Sequence, residues 1–400
     1  MKVIQSYIPF GSEFDPNPTL TKEYTYLALL SSLQLKKLYG EVTLYTNKPM
    51  AEFFKQMDFP YTYDTSLDGH KAAYFAMPKM RAFMAQTEPF VHYDLDTLVF
   101  DKPRLEDMKS PFIFSHRDMP NDGYYKKDRR VPKVKSKAVN HLIQDRWFNN
   151  LMESYLLAYY RCEELPEGYP SFRIDPETIP NMNIIGIKDV KTFQKATKVA
   201  MKIADDNKHI FEGNWLASNF IEQLTIPIYL QEYSKKYIKA LEAHKEKDPI
   251  GSPFMFGGDP FTCLGFPTDD PIWQKELPKY PFKLQHFYRC NECLDWHKAQ
   301  YELKSDKDLL KYGDLSQFRY CHIGGGNKQY AMWQFMIINT LVTNFGEDMV
   351  LKVTDYFRLD DLKRRNKKYK LSPGEELYEK ITGNTLFSKK FKDSQKNTMI

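Results

Sequence analysis

The first hundred residues alternate between short apolar runs and longer stretches with helical spacing. Residues 2–8 read as a strand, followed by a turn-rich loop holding Gly11, Pro16 and Pro18. Across residues 21–39, Leu27, Leu30, Leu33 and Leu38 recur near the helical period, which predicts a helix that Gly40 ends. Residues 41–46 form the next strand pattern, and Asn47 then stands as an N-cap with Pro49 in the first helical turn. A short strand near residues 61–63, a helix over 71–85 and a buried strand over 90–93 complete this part. Strand–helix alternation of this kind predicts a mostly parallel sheet flanked by helices, an α/β architecture of Rossmann-like type.

The middle of the chain is less regular. Residues 101–139 are charged and loop-like, the pattern of a lid or insertion, and a helix is expected over 145–160. A Pro-rich loop leads to a strand over 182–187 and a helix over 191–204. Residues 245–300 are rich in Pro, Gly and aromatic side chains and read as loops around a cleft. The last fifty residues read as polar helices, and no internal repeat is visible. The expected division is one α/β domain over 1–345 and a small, basic, helical C-terminal extension over 346–400.

Composition narrows the class. With 42% hydrophobic and 15% aromatic residues, this 400-residue chain has the apolar content of a globular protein. Mean hydropathy is -0.58. The most apolar stretch, residues 332–342, is interrupted by Gln334, Asn339 and Thr340, so no bilayer span is expected. The opening residues go directly into strand-like sequence without an apolar leader, and the five cysteines are sparse and odd in number. Both features point to a cytoplasmic protein. The net charge of +5 is uneven: residues 362–400 hold eleven Lys and Arg against four Asp and Glu, which leaves -2 for the rest. That basic tail is a solvated helix face or a peripheral contact for an anionic lipid surface or an acidic partner. The overall balance gives no mandate for nucleic acid.

Three features carry chemistry. Asp94-Leu95-Asp96 directly follows the strand 90–93, and ligands of open α/β sheets bind beyond the carboxyl ends of strands. Two carboxylates placed there repel unless something positive neutralises them, and a divalent cation with a bound phosphate does so. The second feature is His322-Ile323-Gly324-Gly325-Gly326-Asn327-Lys328. Consecutive glycines permit close backbone approach to a ligand, the His can ligate a metal, and the Lys can place a point charge on a phosphate. The third is Lys79, on the helix that feeds the acidic strand.

Asp94-Leu95-Asp96-Thr97-Leu98-Val99, Lys79 upstream, and the H-x-x-G-x-x-K of His322, Gly325 and Lys328 together resemble the signature of GT-A-fold glycosyltransferases, with glycogenin-like enzymes as the nearest comparison. The opening 2–7 with residues 35–46 is also similar to an uncharacterised bacterial and phage family of that fold. The resemblance implies that Asp94, Asp96 and His322 hold a divalent metal, manganese or else magnesium. It implies that Lys328 contacts the diphosphate of a nucleotide-sugar, most often UDP-linked, with Gly325 and Lys79 nearby. Ser6 and Tyr7 match the family's nucleoside contacts. Asn181-Met182-Asn183 resembles its Asn-x-Gly acceptor-side strand, with Asn183 where Gly is usual. Glu222-Gln223 corresponds to an Asp-Gln pair near the donor sugar, and Gln329-Tyr330 replaces the family's Pro-Trp. The implied activity is transfer of a sugar, a hexose in the first instance, to a glycan, lipid or protein acceptor.

One other enzyme class, a zinc site and one binding class fit parts of the pattern. Asp94-Leu95-Asp96-Thr97 is also similar to haloacid-dehalogenase-like phosphatases, where the first Asp is a nucleophile and the second a general acid. Their spacing usually places a residue between the second Asp and Thr, and their motif starts near the N-terminus. Cys290 and Cys293 with His297 supply three zinc-type ligands but lack a second Cys pair, so free thiols are expected. A non-catalytic nucleotide-sugar or glycan-binding protein is the remaining alternative.

Overall fold

The computed structural model of the protein describes residues 1–9, 20–69, 76–102, 111–117, 180–206, 222, 226, 230, 261–265, 305–317, 320–323, 330–364 and 369–389. In chain order the strands are β1 (Lys2–Ser6), β2 (Thr43–Tyr45), β3 (Thr62–Asp64), β4 (Phe90–Tyr93), β5 (Thr97–Val99), β6 (Phe112–Arg117), β7 (Pro180–Ile187), β8 (Phe261–Gly265) and β9 (Tyr320–His322). The helices are α1 (Lys22–Tyr39), α2 (Lys48–Lys55), α3 (Met77–Met84), α4 (Val190–Asp206), α5 (Asp306–Tyr312), α6 (Ala331–Phe345), α7 (Glu347–Arg364) and α8 (Pro373–Thr382). This is a mixed α/β protein with a mostly parallel central sheet flanked by helices.

The elements gather into two compact units: β1, α3, β4, β6, β7, α4 and β8 in one, and the remaining elements in the other. α6, α7 and α8 share a unit with α1.

In the first unit the strands run in the order β1-β4-β7-β6-β8. β4 lies parallel to β1, with Ile4 opposite His92, and antiparallel to β7, with Tyr93 opposite Ile184. All four residues of β4 are buried, as a strand covered on both faces requires. Phe83 of α3 packs against Phe193 of α4 and Phe90 of β4, with ring centroids 5.3 and 5.8 Å apart. Gln194 closes the end of α3 by donating its side-chain amide to the carbonyls of Phe83, Met84 and Gln86 at 2.7–3.2 Å. β6 and β8 fall in stretches the sequence pattern assigned to loops. The buried run Phe112-Ile113-Phe114 makes β6 a core strand, and β8 pairs with it in parallel. The expected helix over 145–160 lies outside the described residues.

In the second unit, α1 stops where the Gly40 signal stands, and its start is capped by Thr21. The Thr21 side chain accepts from the Tyr24 amide, and Gly40 adopts φ +83°, a left-handed conformation open to glycine. Asn47 caps α2 in the same way, accepting from the Met50 amide at 3.0 Å. β2 and β3 pair in parallel beside α2 in sequence. The polar C-terminal helices are part of this core: Val350, Val353, Thr354 and Phe357 are buried on one face of α7 at helical spacing.

A fully buried carboxylate joins these helices. Glu375, the third residue of α8, accepts from Lys22 Nζ at 2.6 Å, Tyr26 OH at 2.7 Å, Tyr369 OH at 3.0 Å and the Ser372 amide at 2.6 Å. With Ser372 accepting from the Glu375 amide, it forms a capping box. Burial and the adjacent carboxylate push the phenols of Tyr26 and Tyr369 far above their ordinary value. Next to this network, the Gly374 amide donates to Gln334 Oε1 at 2.9 Å, and a Cβ on Gly374 would lie 2.1 Å from the Gln334 Cβ.

Two outcomes are expected. Gly374→Ala forces α8 and α6 apart and costs about 1–3 kcal/mol, read as a lower urea midpoint. Raised phenol values stabilise the fold fully below the unfolded value near pH 10 and lose that contribution as pH rises toward the folded value. Stability should therefore fall above about pH 10, by up to about 1.4 kcal/mol per pH unit for each such phenol. Tyr26→Phe should make the alkaline limb of a pH–denaturation profile shallower, and an unchanged limb would remove Tyr26 from this account.

Candidate functional site

After β4 the chain turns sharply. The Thr97 amide donates to the Asp94 carbonyl at 3.0 Å, closing a β-turn over Asp94-Leu95-Asp96-Thr97 that leads into β5. β5 pairs antiparallel with β9, placing Thr97 opposite His322, Leu98 opposite Cys321 and Val99 opposite Tyr320. The ladder gains one more bond from the Ile323 amide to the Asp96 carbonyl at 3.0 Å. Ser31 of α1 donates its hydroxyl to the Thr97 carbonyl at 2.8 Å and ties the turn to the helix. Leu95, Leu98, Val99, Cys321 and Ile323 are buried, so the ladder has an apolar anchor that holds its register. Burial also pushes the Cys321 thiol far up, which leaves it an inert packing group.

The consequence is a contact between the two distant motifs. His322 Nε2 lies 3.5 Å from Asp96 Oδ1, with the side chains 26% and 13% exposed. Two ligand atoms bound in adjacent positions of a six-coordinate shell with bonds of about 2.1 Å stand about 3 Å apart. The 3.5 Å of this pair is slightly wider than that spacing, and a carboxylate with an imidazole is a donor set open to first-row divalent cations. Asp94 is partly exposed, and among the described residues no group of three His, Cys, Asp or Glu is drawn together. Two of the three expected ligands meet; the third does not join them. Gly325, Lys328 and Gln223, together with Cys290, Cys293 and His297, lie outside the described residues.

The first unit holds a second polar cluster. Lys79 is buried: its Nζ makes an ion pair with Glu222 Oε1 at 2.6 Å and donates to the Met182 carbonyl at 2.6 Å. Their side chains are 10% and 6% exposed. The structure thus joins two residues that the sequence placed in separate roles, Lys79 with the diphosphate and Glu222 with the donor sugar. Asn183, next to Met182 on β7, is buried as well. Ser6 ends β1, and its hydroxyl sits 2.9 Å from His92 Nε2. Burial, and secondarily the charge of Lys79, hold the His92 imidazole well below its ordinary value, so it is neutral. Burial likewise pushes the Tyr7 phenol far up.

His92 and the Ser31 hydroxyl are the residues that sequence reasoning passed over. The signal for His92 was present: an imidazole inside the apolar run Phe90-Val91-His92-Tyr93 has to be paired to be buried there. Ser31 had no such signal, since a serine on a helix is ordinary.

The sequence model of one family, described as a family of unknown function (DUF6734), matches residues 1–156. That segment holds Ser6, Tyr7, Lys79, Asp94 and Asp96, and ends well short of His322. No curated protein matches the chain. Among the described residues, no helix is long and apolar enough to cross a membrane.

Breaking a buried ion pair on one side leaves the other charge uncompensated. Lys79→Met and Glu222→Leu are each expected to cost about 3–5 kcal/mol in urea unfolding, and the double variant less than the sum of the two. Additive losses would mean that the two side chains act independently.

Proposed function

We propose that this protein is a metal-dependent glycosyltransferase of GT-A type that moves a sugar from a nucleotide donor, a UDP-sugar in the first instance, to a glycan, lipid or protein acceptor. The observation that supports this reading most is the meeting of Asp96 and His322 at the end of the β5–β9 ladder, 3.5 Å apart. Each belongs to a motif that resembles that family, and the same two residues are the ones assigned to the metal. An acidic and an imidazole ligand at that separation have an evident use in holding a cation.

In this reading Asp96 and His322 hold manganese or magnesium, with Asp94 as the candidate third protein ligand. The metal, when bound, neutralises charge growing on the departing nucleoside diphosphate. Lys328 contributes a fixed positive charge toward the phosphates, and Gly325 lets the backbone approach them. Ser6 and Tyr7 are assigned to the nucleoside. Lys79 enters the reading differently from the sequence expectation: its ammonium is committed to Glu222 and the Met182 carbonyl, so it orients Glu222 rather than standing open to a diphosphate. Glu222 and Gln223 remain the candidates for work beside the sugar.

Titration calorimetry with UDP and GDP, each with and without manganese, tests this on wild type, Asp96→Ala and His322→Ala. Metal-dependent binding of one nucleotide is expected, weakened by at least about tenfold in both variants. Asp96→Ala should also abolish sugar transfer with the circular dichroism spectrum retained. Tight metal-independent binding would favour a non-catalytic relative, and absence of binding under all conditions would favour the phosphatase reading. Full activity of Asp96→Ala would remove the metal-site assignment.

A further inference from the structure

The sheet of the first unit contains a paired imidazole that the metal chemistry does not use. His92 is fully buried in β4, edge-on to Phe83 with centroids 5.3 Å apart and the planes at 90°. An apolar side chain would fill that position without the cost of burying ring nitrogens. What the imidazole does there is specific: its Nε2 lies 2.9 Å from the Ser6 hydroxyl. Ser6 is the last residue of β1, at the carboxyl end of a parallel strand, and is partly exposed. The hydroxyl thus joins a buried partner to a residue that is itself only partly buried. Carboxyl ends of parallel strands are where ligands of α/β sheets dock.

A serine hydroxyl has one proton and two acceptor positions, and a free rotor presents them in any direction. A fixed imidazole nitrogen removes that freedom. If Nε2 carries the proton, it donates to the Ser6 oxygen and the Ser6 hydroxyl is directed outward as a donor; if Nε2 is bare, it accepts from the Ser6 hydroxyl and leaves only acceptor positions outward. Either tautomer makes Ser6 a defined half of a hydrogen bond.

We propose that His92 is a positioning residue for donor recognition: it sets the rotamer and polarity of the Ser6 hydroxyl, which then reads one polar group of the nucleoside. The inference rests on the glycosyltransferase reading, in which Ser6 contacts the nucleoside. Phe83 and the strand ladder hold the imidazole, so little ordering is left for the moment of binding.

The test is a calorimetric titration of UDP with manganese on the full chain, for wild type, Ser6→Ala, His92→Phe, His92→Gln and the double variant Ser6→Ala/His92→Phe. Ser6→Ala and His92→Phe are each expected to weaken binding by about five- to tenfold, the range for one neutral hydrogen bond. The double variant should lose no more than either single one, because both remove the same interaction. His92→Gln, whose amide nitrogen can stand where Nε2 stood, should recover most of the affinity. A wild-type affinity in His92→Phe, or a loss that adds to that of Ser6→Ala, would overturn the proposal and leave the glycosyltransferase reading intact. If wild type binds no nucleotide, that reading falls and takes the proposal with it. Should His92→Phe fail to fold, the wild-type protein still decides: with magnesium in place of paramagnetic manganese, the His92 ring-nitrogen resonances should move on saturation with UDP. They should stay still in Ser6→Ala, and unmoved wild-type resonances would overturn the proposal.

Discussion

The three-residue ladder between β5 and β9 is the constraint on which the candidate chemistry depends. It joins a turn that follows β4 to a strand far along the chain, and its register alone decides that His322 sits beside Asp96 rather than a residue away. A one-residue slip would send each side chain to the opposite face. Short ladders are weak by themselves. This one is held by buried Leu98 and Cys321, by the Ile323 amide on the Asp96 carbonyl, and by the Ser31 hydroxyl on the Thr97 carbonyl. The polar pair is therefore carried by apolar anchoring and backbone bonds around it.

The buried polar groups of the two units do different kinds of work. Glu375 gathers bonds from α1, the turn before α8 and the Tyr369 phenol, so one carboxylate specifies how the C-terminal helices meet the first helix. It is saturated and has no chemistry left to perform. Lys79 and Glu222 are also paired, with the Met182 carbonyl accepting from the same ammonium. Removing two charges from water costs several kcal/mol per ion, so such a pair contributes geometry more than stability. The Ser6–His92 pair is smaller still, and only one of its members is wholly buried.

Much of the fold was legible in the chain because the signals were local. Gly40, Asn47 and Pro49 are local signals of helix ends, and they stand where the helices begin and end. The strand over 90–93 showed as a continuous apolar run because both its faces are covered. β6 was missed because its buried Phe112-Ile113-Phe114 is short and embedded in charged sequence, and β8 because a strand in a Pro- and Gly-rich stretch is revealed only by its partner. The C-terminal helices were recognised as helices, while the buried face of α7 did not show because it is spread among charged residues.

The candidate site divides along the same line. The sequence by itself determined which residue types were available for metal and phosphate, Asp94, Asp96, His322 and Lys328, because those motifs are patterns of neighbours. It also determined the α/β class, which follows from periodicity. Only the tertiary structure decided that Asp96 meets His322 while Asp94 stands apart, that Lys79 is spent on Glu222, and that His92 holds Ser6. Each of these is a pairing between residues distant in the chain, set by strand register and by the need of every buried polar group for a partner. No local pattern encodes where that partner will be.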